Sequence, residues 1–366
     1  MIKRSVMVAL GTFLYVLVWA QTTAPLRLAV AGTSHGHAGW ILSRQKADVQ
    51  LVGIWEPDQT LAVRRQDQFK LSADLFFPDL LTMLDKVKPE AVVAFGSILE
   101  HKKVVQACAP RRIHVMVEKP LATTYKDALD MSALAKQHGI FLLTNYETSW
   151  YPTTERTFQL TRDLANIGSI RKVVVHDGHR GPLEIGVGQE FLQWLTDPVL
   201  NGGGALIDFG CYGANLMTYL MQGQNPVSVT AITRQFKPDI YSRVDDDATI
   251  IVDYADAQGI FQASWNWPFS RKDMEVYGTS GYIFAPDRST LRWRRNEKAP
   301  EQVLSLTAEE TGVYTDPFSY FSEVIRGQLK PSAFSPYTLE NNLLVVQILD
   351  AARRSAKTGK RVVIRP

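Results

Sequence analysis

The chain has 366 residues, is 45% hydrophobic and 21% charged, and carries 40 Lys and Arg against 37 Asp and Glu. That composition excludes a disordered tail, a collagen and a small disulfide scaffold. The net charge of +3 comes without any Lys/Arg block, so no nucleic-acid partner is indicated. The length suggests two domains, each able to bury its own core.

Residues 1–20 come first. Lys3 and Arg4 precede an apolar run from Val6 to Trp19, and Val18 and Ala20 supply the small residues a signal peptidase reads. The run is shorter than the ~20 residues of a spanning helix. A signal peptide cleaved after Ala20 is therefore expected, with export to the periplasm and no membrane attachment afterwards. Ile2 to Met7 is similar to a twin-arginine signal with Lys in place of the first Arg, and both export routes stay open. Cys108 and Cys211 are expected to be buried free thiols, not a bridge.

From Leu26 the pattern alternates between strand and helix. Apolar runs at Leu26–Ala31, Val49–Trp55, Ala91–Phe95, Ile113–Val117 and Ile140–Thr144 read as strands. Helical stretches lie between them at Thr60–Phe69, Leu80–Lys86, His101–Cys108 and Tyr125–His138. This spacing predicts a doubly wound parallel sheet over residues 25–146, a Rossmann-type domain. The loop after the first strand, Gly32-Thr33-Ser34-His35-Gly36-His37-Ala38-Gly39, is where a pyrophosphate is expected. Glycine permits close approach, and the next helix should offer unpaired N–H groups. The match to G-x-G-x-x-G is partial, with Ser34 and His37 at the second and third glycine positions. Glu56 ends the second strand, 24 residues after Gly32, and can accept from the ribose hydroxyls of NAD. Arg64 and Arg65 leave NADP open. His35 and His37 form an H-x-H, but no carboxylate or third His lies nearby in sequence, so no metal is expected.

Val117-Glu118-Lys119-Pro120-Leu121-Ala122 closes the fourth strand. Gly202-Gly203-Gly204-Ala205-Leu206-Ile207-Asp208-Phe209-Gly210 and Asp245-Asp246-Asp247-Ala248 follow later, and Ala351 to Lys360 ends the pattern. Together these stretches resemble the Gfo/Idh/MocA family of oxidoreductases, the relatives of glucose–fructose oxidoreductase and inositol dehydrogenase. The resemblance implies that Lys119 lies beside the nicotinamide and the substrate hydroxyl, where an ammonium stabilises developing alkoxide. Most of the family has His four residues after the Asp; here that residue is Tyr212. Tyr212 is the expected acid/base, Lys119 the charge that lowers its pKa, and Asp208 the group that orients the pair or holds a substrate hydroxyl. Gly96, Glu118, His101 and Trp194 are counted with the cofactor site. Leu195 stands where the family often has a cofactor-facing Arg.

Strands at Val173–Val175, Val227–Ile232, Ala248–Tyr254, Gly259–Trp265 and Met274–Gly278 alternate apolar and polar residues. Residues 147–366 are thus expected to form an α+β domain: a large, mostly antiparallel sheet with helices on one face, for substrate and oligomer contacts. A C-terminal helix over 336–357 is expected to pack back on the first domain. The loop after the first of these strands offers His179 and Arg180 to a substrate, and Tyr146 is also counted with the substrate site. Trp265 and Trp267 are expected mainly in the core. By resemblance, the open sheet face builds a homodimer or homotetramer. The expected activity is NAD(P)-dependent hydride transfer at a secondary hydroxyl of a sugar, glycoside or polyol. Two alternatives are a glycosidase working by transient NAD-dependent oxidation and elimination, and a non-catalytic sugar-binding protein on the same fold.

Overall fold

The apolar runs that open the chain become a parallel sheet in a computed structural model, which describes residues 24–365. The expected signal segment lies outside the described residues. The strands are β1 (Leu26–Ala31), β2 (Val49–Trp55), β3 (Phe76–Phe77), β4 (Ala91–Ala94), β5 (His114–Glu118) and β6 (Leu142–Asn145). Their order is β3-β2-β1-β4-β5-β6, and every neighbouring pair is parallel. All four residues of β4 are buried, as a strand covered on both faces requires. The strand order reverses between β1 and β4, so the crevice beyond their C-terminal ends is the expected ligand position.

Local chemistry sets the helix ends. Asp58, Asp79 and Thr124 cap the helices Gln59–Phe69, Leu80–Val87 and Tyr125–His138 by accepting backbone N–H groups. Gly139 closes the last of these in the left-handed region.

A second sheet holds β7 (Ile170–Gly178), β8 (Ser228–Arg234), β9 (Asp247–Asp253), β10 (Gln258–Ser264), β11 (Arg271–Gly278), β12 (Tyr282–Ala285), β13 (Thr290–Arg294), β14 (Gln302–Ser305) and β15 (Val362–Val363). Its order is β14-β13-β12-β11-β7-β10-β9-β8-β15. Only the β7–β10 pair is parallel among the described residues. The helix Gly210–Leu220 lies against this sheet and is buried at every residue. The other face is open and carries Ile232 (60% exposed) and Ile251 (36% exposed).

The two sheets share more chain than the sequence suggested. The helix Leu339–Thr358 packs on both, and its Asp350 accepts the backbone N–H of Tyr125 at 2.7 Å. The helix Pro317–Ile325 also returns to the first sheet. Its Phe318, Phe321 and Val324 pack with Leu26, Val30 and Phe95. Cys108 and Cys211 are both free and buried.

Candidate active site

β5 delivers Glu118 and Lys119 to the C-terminal edge of the first sheet. Asp208 approaches from the second domain, at the end of the short helix Ala205–Asp208. The turn before that helix is pinned by Asp245. Its carboxylate accepts from the N–H of Gly204 (3.0 Å) and Leu206 (2.7 Å), and its carbonyl from Ala205 (2.9 Å). Lys119 Nζ then donates to Asp208 Oδ1 at 2.5 Å and to the Asp208 carbonyl at 2.9 Å. The indole of Trp265 donates to Asp208 Oδ2 at 3.0 Å. Both charged groups are buried. Burial works against each charge, but the partner wins: Lys119 is pushed up and Asp208 down, so both stay ionised.

Tyr212 lies one turn further along, in the helix Gly210–Leu220. Its ring centre is 5.2 Å from Lys119 Nζ. The three residues expected to act together are therefore brought together from both domains. The expected electrostatics are corrected. Tyr212 is held well above the ordinary phenol range, first by burial, then by the Glu147 carboxylate, with Cys211, Asp208 and Glu118 acting in the same direction. The Lys119 charge is already matched by Asp208 at 2.5 Å, so its pull on the phenol is offset. Tyr146, expected at the substrate, is fully buried and meets Tyr212 edge-on at 5.5 Å.

Glu118 is wholly buried and accepts from Asn145 Nδ2 at 2.7 Å, with His37 Nδ1 at 3.2 Å. Burial alone would raise its pKa, but His37, His35 and these hydrogen bonds hold it at about 2. Burial pushes His35 down to about 3, so that ring is neutral. The fold thus brings to the H-x-H pair the carboxylate that its sequence neighbourhood lacks: donors of His35, His37 and Glu118 lie within 4.8 Å of one another. The hydrogen bonds work against a metal cage. His35 Nδ1 accepts the N–H of His37 at 3.0 Å, which leaves the proton of that neutral ring on Nε2.

The glycine loop departs from expectation in one respect. The helix after it, Ala38–Leu42, has five residues, and the N–H groups of Ala38, Gly39 and Trp40 turn back onto the carbonyls of His35, Gly36 and His37. Few unpaired N–H groups are left at this helix start. Gly32 has φ +77°, and a Cβ there would lie 2.9 Å from the backbone of Gly96, whereas a Cβ on Gly96 would meet the Glu100 carboxylate at 2.5 Å. Gly36 is exposed with nothing within 4 Å of its Cβ position, so the loop's outer side is open to a phosphate. Glu56 sits at the expected strand end, but its carboxylate accepts from the Thr33 N–H (2.9 Å) and hydroxyl (2.6 Å), and from the Asp58 N–H (3.1 Å). It can serve a ribose only through its remaining lone pairs. His101 is buried, its Nδ1 faces the Leu121 carbonyl at 3.2 Å, and its Nε2 has no partner. Burial lowers its pKa to about 4, so Nε2 is a free acceptor suited to a ribose hydroxyl. These features fit a dinucleotide.

The helix Gln189–Leu195 lies across the loop. Trp194 donates its indole N–H to Ser34 Oγ at 3.0 Å, and Phe191 packs on His35. Arg64 and Arg65 both pair with Glu190 (2.7 and 2.8 Å); Arg65 is mostly covered in that contact, while Arg64 stays half exposed. Leu195, at the family's Arg position, is buried in the core.

A cavity of about 760 Å³ adjoins this centre, bounded by Glu147, Tyr151, His179, Lys272 and Arg288 among others. His179 packs edge-on against Phe209 and accepts the Gly181 N–H at 2.9 Å. Arg180 is exposed, and the contact it makes is through its carbonyl, to Lys237. Sequence reading missed Glu147, Lys272 and Asp177, and placed Trp265 in the core without its bond to Asp208. Glu147 and Lys272 are 125 residues apart and form an ion pair. No local motif announces such a pair; only the alternation that places Lys272 opposite Asp177 on the β11–β7 ladder was available.

Comparisons with known proteins agree with this geometry. Residues 26–146 match a model described as an oxidoreductase family with an NAD-binding Rossmann fold, and residues 162–284 match the GFO/IDH/MocA C-terminal domain. Trans-1,2-dihydrobenzene-1,2-diol dehydrogenase of Xenopus laevis is 28% identical over 186 residues, 51% of this chain and 52% of that protein. The match thus spans about half of that relative's length. The Sus scrofa enzyme of the same name is 26% identical over 267 residues, 70% of this chain and 74% of its own. Among solved structures, aldose-aldose oxidoreductase from Caulobacter crescentus, complexed with glycerol, superposes with TM-score 0.77 at 22% identity, covering 93% of this chain and 100% of that one. An inositol dehydrogenase homologue from Azotobacter vinelandii, complexed with NAD+, gives TM-score 0.80 at 19% identity, covering 93% and 98%. At these identities the structural likenesses establish the fold.

Proposed function

The chain belongs to the Gfo/Idh/MocA family of NAD-binding oxidoreductases, and on that footing we propose that it oxidises a secondary hydroxyl of a sugar, glycoside or polyol, or reduces the matching carbonyl. The observation that carries this reading is the buried Lys119–Asp208 pair joining the two domains, with Tyr212 at 5.2 Å and a cavity beside it. NAD supplies the hydride acceptor when bound. The open side of Gly36, the Nε2 of His101 and the Glu118–His37 edge are the groups placed to hold it.

The protein's own part is to hold protons and charge. Lys119 stays an ammonium and steadies negative charge on a substrate oxygen. Asp208 keeps that ammonium in place and is itself fixed by Trp265. Tyr212, neutral as it stands, is a proton donor toward a carbonyl; in the oxidation direction it acts as a base only as the phenolate, after giving up its own proton to water, a loss that a nearby positive charge favours. The names of the relatives, which act on a vicinal diol, an inositol or an aldose, support a substrate with adjacent hydroxyls.

The test is a panel of D-glucose, myo-inositol, glycerol, a trans-diol and aryl glycosides, incubated with NAD+ and followed by NADH absorbance and product analysis. Stoichiometric NADH is expected from at least one member. Release of an aglycone without NADH would instead mean the oxidation–elimination cycle. Unchanged behaviour of Lys119→Ala in every assay would mean a binding protein.

We further propose export and self-association. Lys3, Arg4 and the Val6–Trp19 run support the first, and the mature protein should begin at Gln21 by N-terminal sequencing. Among the described residues, no helix is long and apolar enough to cross a membrane. The apolar side chains on the open face of the second sheet support the second. Light scattering should give a mass of two or four chains.

A further inference from the structure

Tyr212 has a second ammonium beside it. Lys272, on β11, places Nζ 4.9 Å from the ring centre, against 5.2 Å for Lys119. The two cations differ in their surroundings. Lys119 is sealed in with Asp208, whereas Lys272 borders the cavity and keeps 24% of its side chain exposed. Its carboxylate partner, Glu147, also accepts the Tyr151 hydroxyl at 2.6 Å and lines the same cavity. A third acid stands close by. Asp177 faces Lys272 across the β7–β11 ladder, is buried, and neither of its oxygens has a partner. Lys272 therefore stands between two carboxyl groups and engages one of them.

We infer that the Lys272–Glu147 ion pair is a positioning device for the proposed reaction, setting from the cavity side how readily the Tyr212 phenol exchanges its proton. The inference rests on the reading of Tyr212 as the proton carrier. A cation and an anion near a buried phenol act on it in opposite directions: the ammonium favours the phenolate and the carboxylate opposes it. Among the charges around the ring, Glu147 is the leading one holding the proton on. The other titratable groups facing Tyr212 are Lys119, Asp208, Cys211, Glu118 and Tyr146; Asp177 and His179 face Lys272, and Asp273 is taken up by His176 and Arg271. Both members of the pair line the cavity, within reach of substrate hydroxyls that enter it. A substrate that draws Glu147 away from Lys272 leaves the ammonium to act on the phenol, which ties proton transfer to occupancy of the site.

The test is the pH profile of kcat/KM for oxidation, measured with NAD+ and the panel compound that yields NADH, on full-length mature protein. Lys272→Met should move the limb governed by the phenol upward by about one pH unit or more, and Glu147→Gln should move it downward by a similar amount. Lys272→Arg should restore the wild-type position. Opposed shifts are the signature, because damage to packing moves both variants alike. Tyr212→Phe separates the two levels of argument. If it keeps wild-type activity, the proton role of Tyr212 fails and this inference with it. If it is inactive while Lys272→Met and Glu147→Gln leave the limb in place, or shift it in the same direction, the Lys272–Glu147 inference alone is overturned. Should Lys272→Met not fold, the Glu147→Gln shift and the Lys272→Arg profile decide.

Discussion

Lys119→Met should lose activity by about 100- to 1,000-fold and unfold more easily by about 3–5 kcal/mol. Both effects have one cause. Asp208 is buried and ionised because Lys119 lies 2.5 Å away. Removing the ammonium leaves a carboxylate in the core with the Trp265 indole as its remaining side-chain donor. An uncompensated buried charge is among the most destabilising single changes. The double variant Lys119→Met with Asp208→Asn should recover much of the stability, because no charge is left unpaired, but none of the activity. Urea unfolding of the three proteins checks the first statement and the panel assay the second. The pair also fixes a pH window. The Lys119 pKa is raised on folding, so its contribution is full below its unfolded value and is lost as pH climbs through the raised one. The Asp208 pKa is depressed, so its contribution is full above its unfolded value and is lost as pH falls through the lowered one. Between about pH 4 and 10 the pair contributes a constant amount.

The first sheet was legible because its strands are covered on both faces and so appear as mainly apolar runs, with Arg27 and Gln50 as exposed exceptions near the strand starts. Val49–Trp55 and Leu26–Ala31 coincide with the observed strands. Lys119, Asp208 and Tyr212 could be named because their signatures are local, each within a few residues of a strand end or a glycine turn. The unread parts are those made by distance. Lys272, Glu147 and Trp265 join the centre through β11, the segment after β6 and the end of β10. Nothing in their own neighbourhoods marks them. The helix Gly210–Leu220 is buried all round and so shows no amphipathic stripe. The helix Pro317–Ile325 was missed because its apolar face serves the first sheet, over two hundred residues back along the chain. The charge state of Tyr212 was misjudged for a similar reason. The neighbouring Lys119 was visible, but the carboxylates around the ring, Glu118, Glu147 and Asp208, come from three separate segments.

Gly204→Ala should be as damaging to the fold as any single methyl group can be, at about 3 kcal/mol, and should take activity with it. A Cβ on Gly204 would lie 1.8 Å from the carbonyl oxygen of Asp245. The obstacle is backbone, so no side chain can swing aside to relieve it. The same carbonyl accepts the N–H of Ala205, and the Asp245 carboxylate holds the N–H groups of Gly204 and Leu206. Moving the turn away from Asp245 therefore breaks the contacts that aim the helix Ala205–Asp208. Asp208 would leave its 2.5 Å contact with Lys119 and its 3.0 Å contact with Trp265. A misplacement of about 1 Å at a reacting centre costs on the order of 100-fold in rate. Gly36→Ala is the matched comparison, because its Cβ would meet nothing within 4 Å. It should fold as the wild type does, and its effect, if a phosphate rests there, should appear in NAD affinity alone. Thermal melts of the two variants should therefore separate widely. Equal melting temperatures would show that the triple-glycine turn has room to move, and that the aim of Asp208 is set by something other than Asp245.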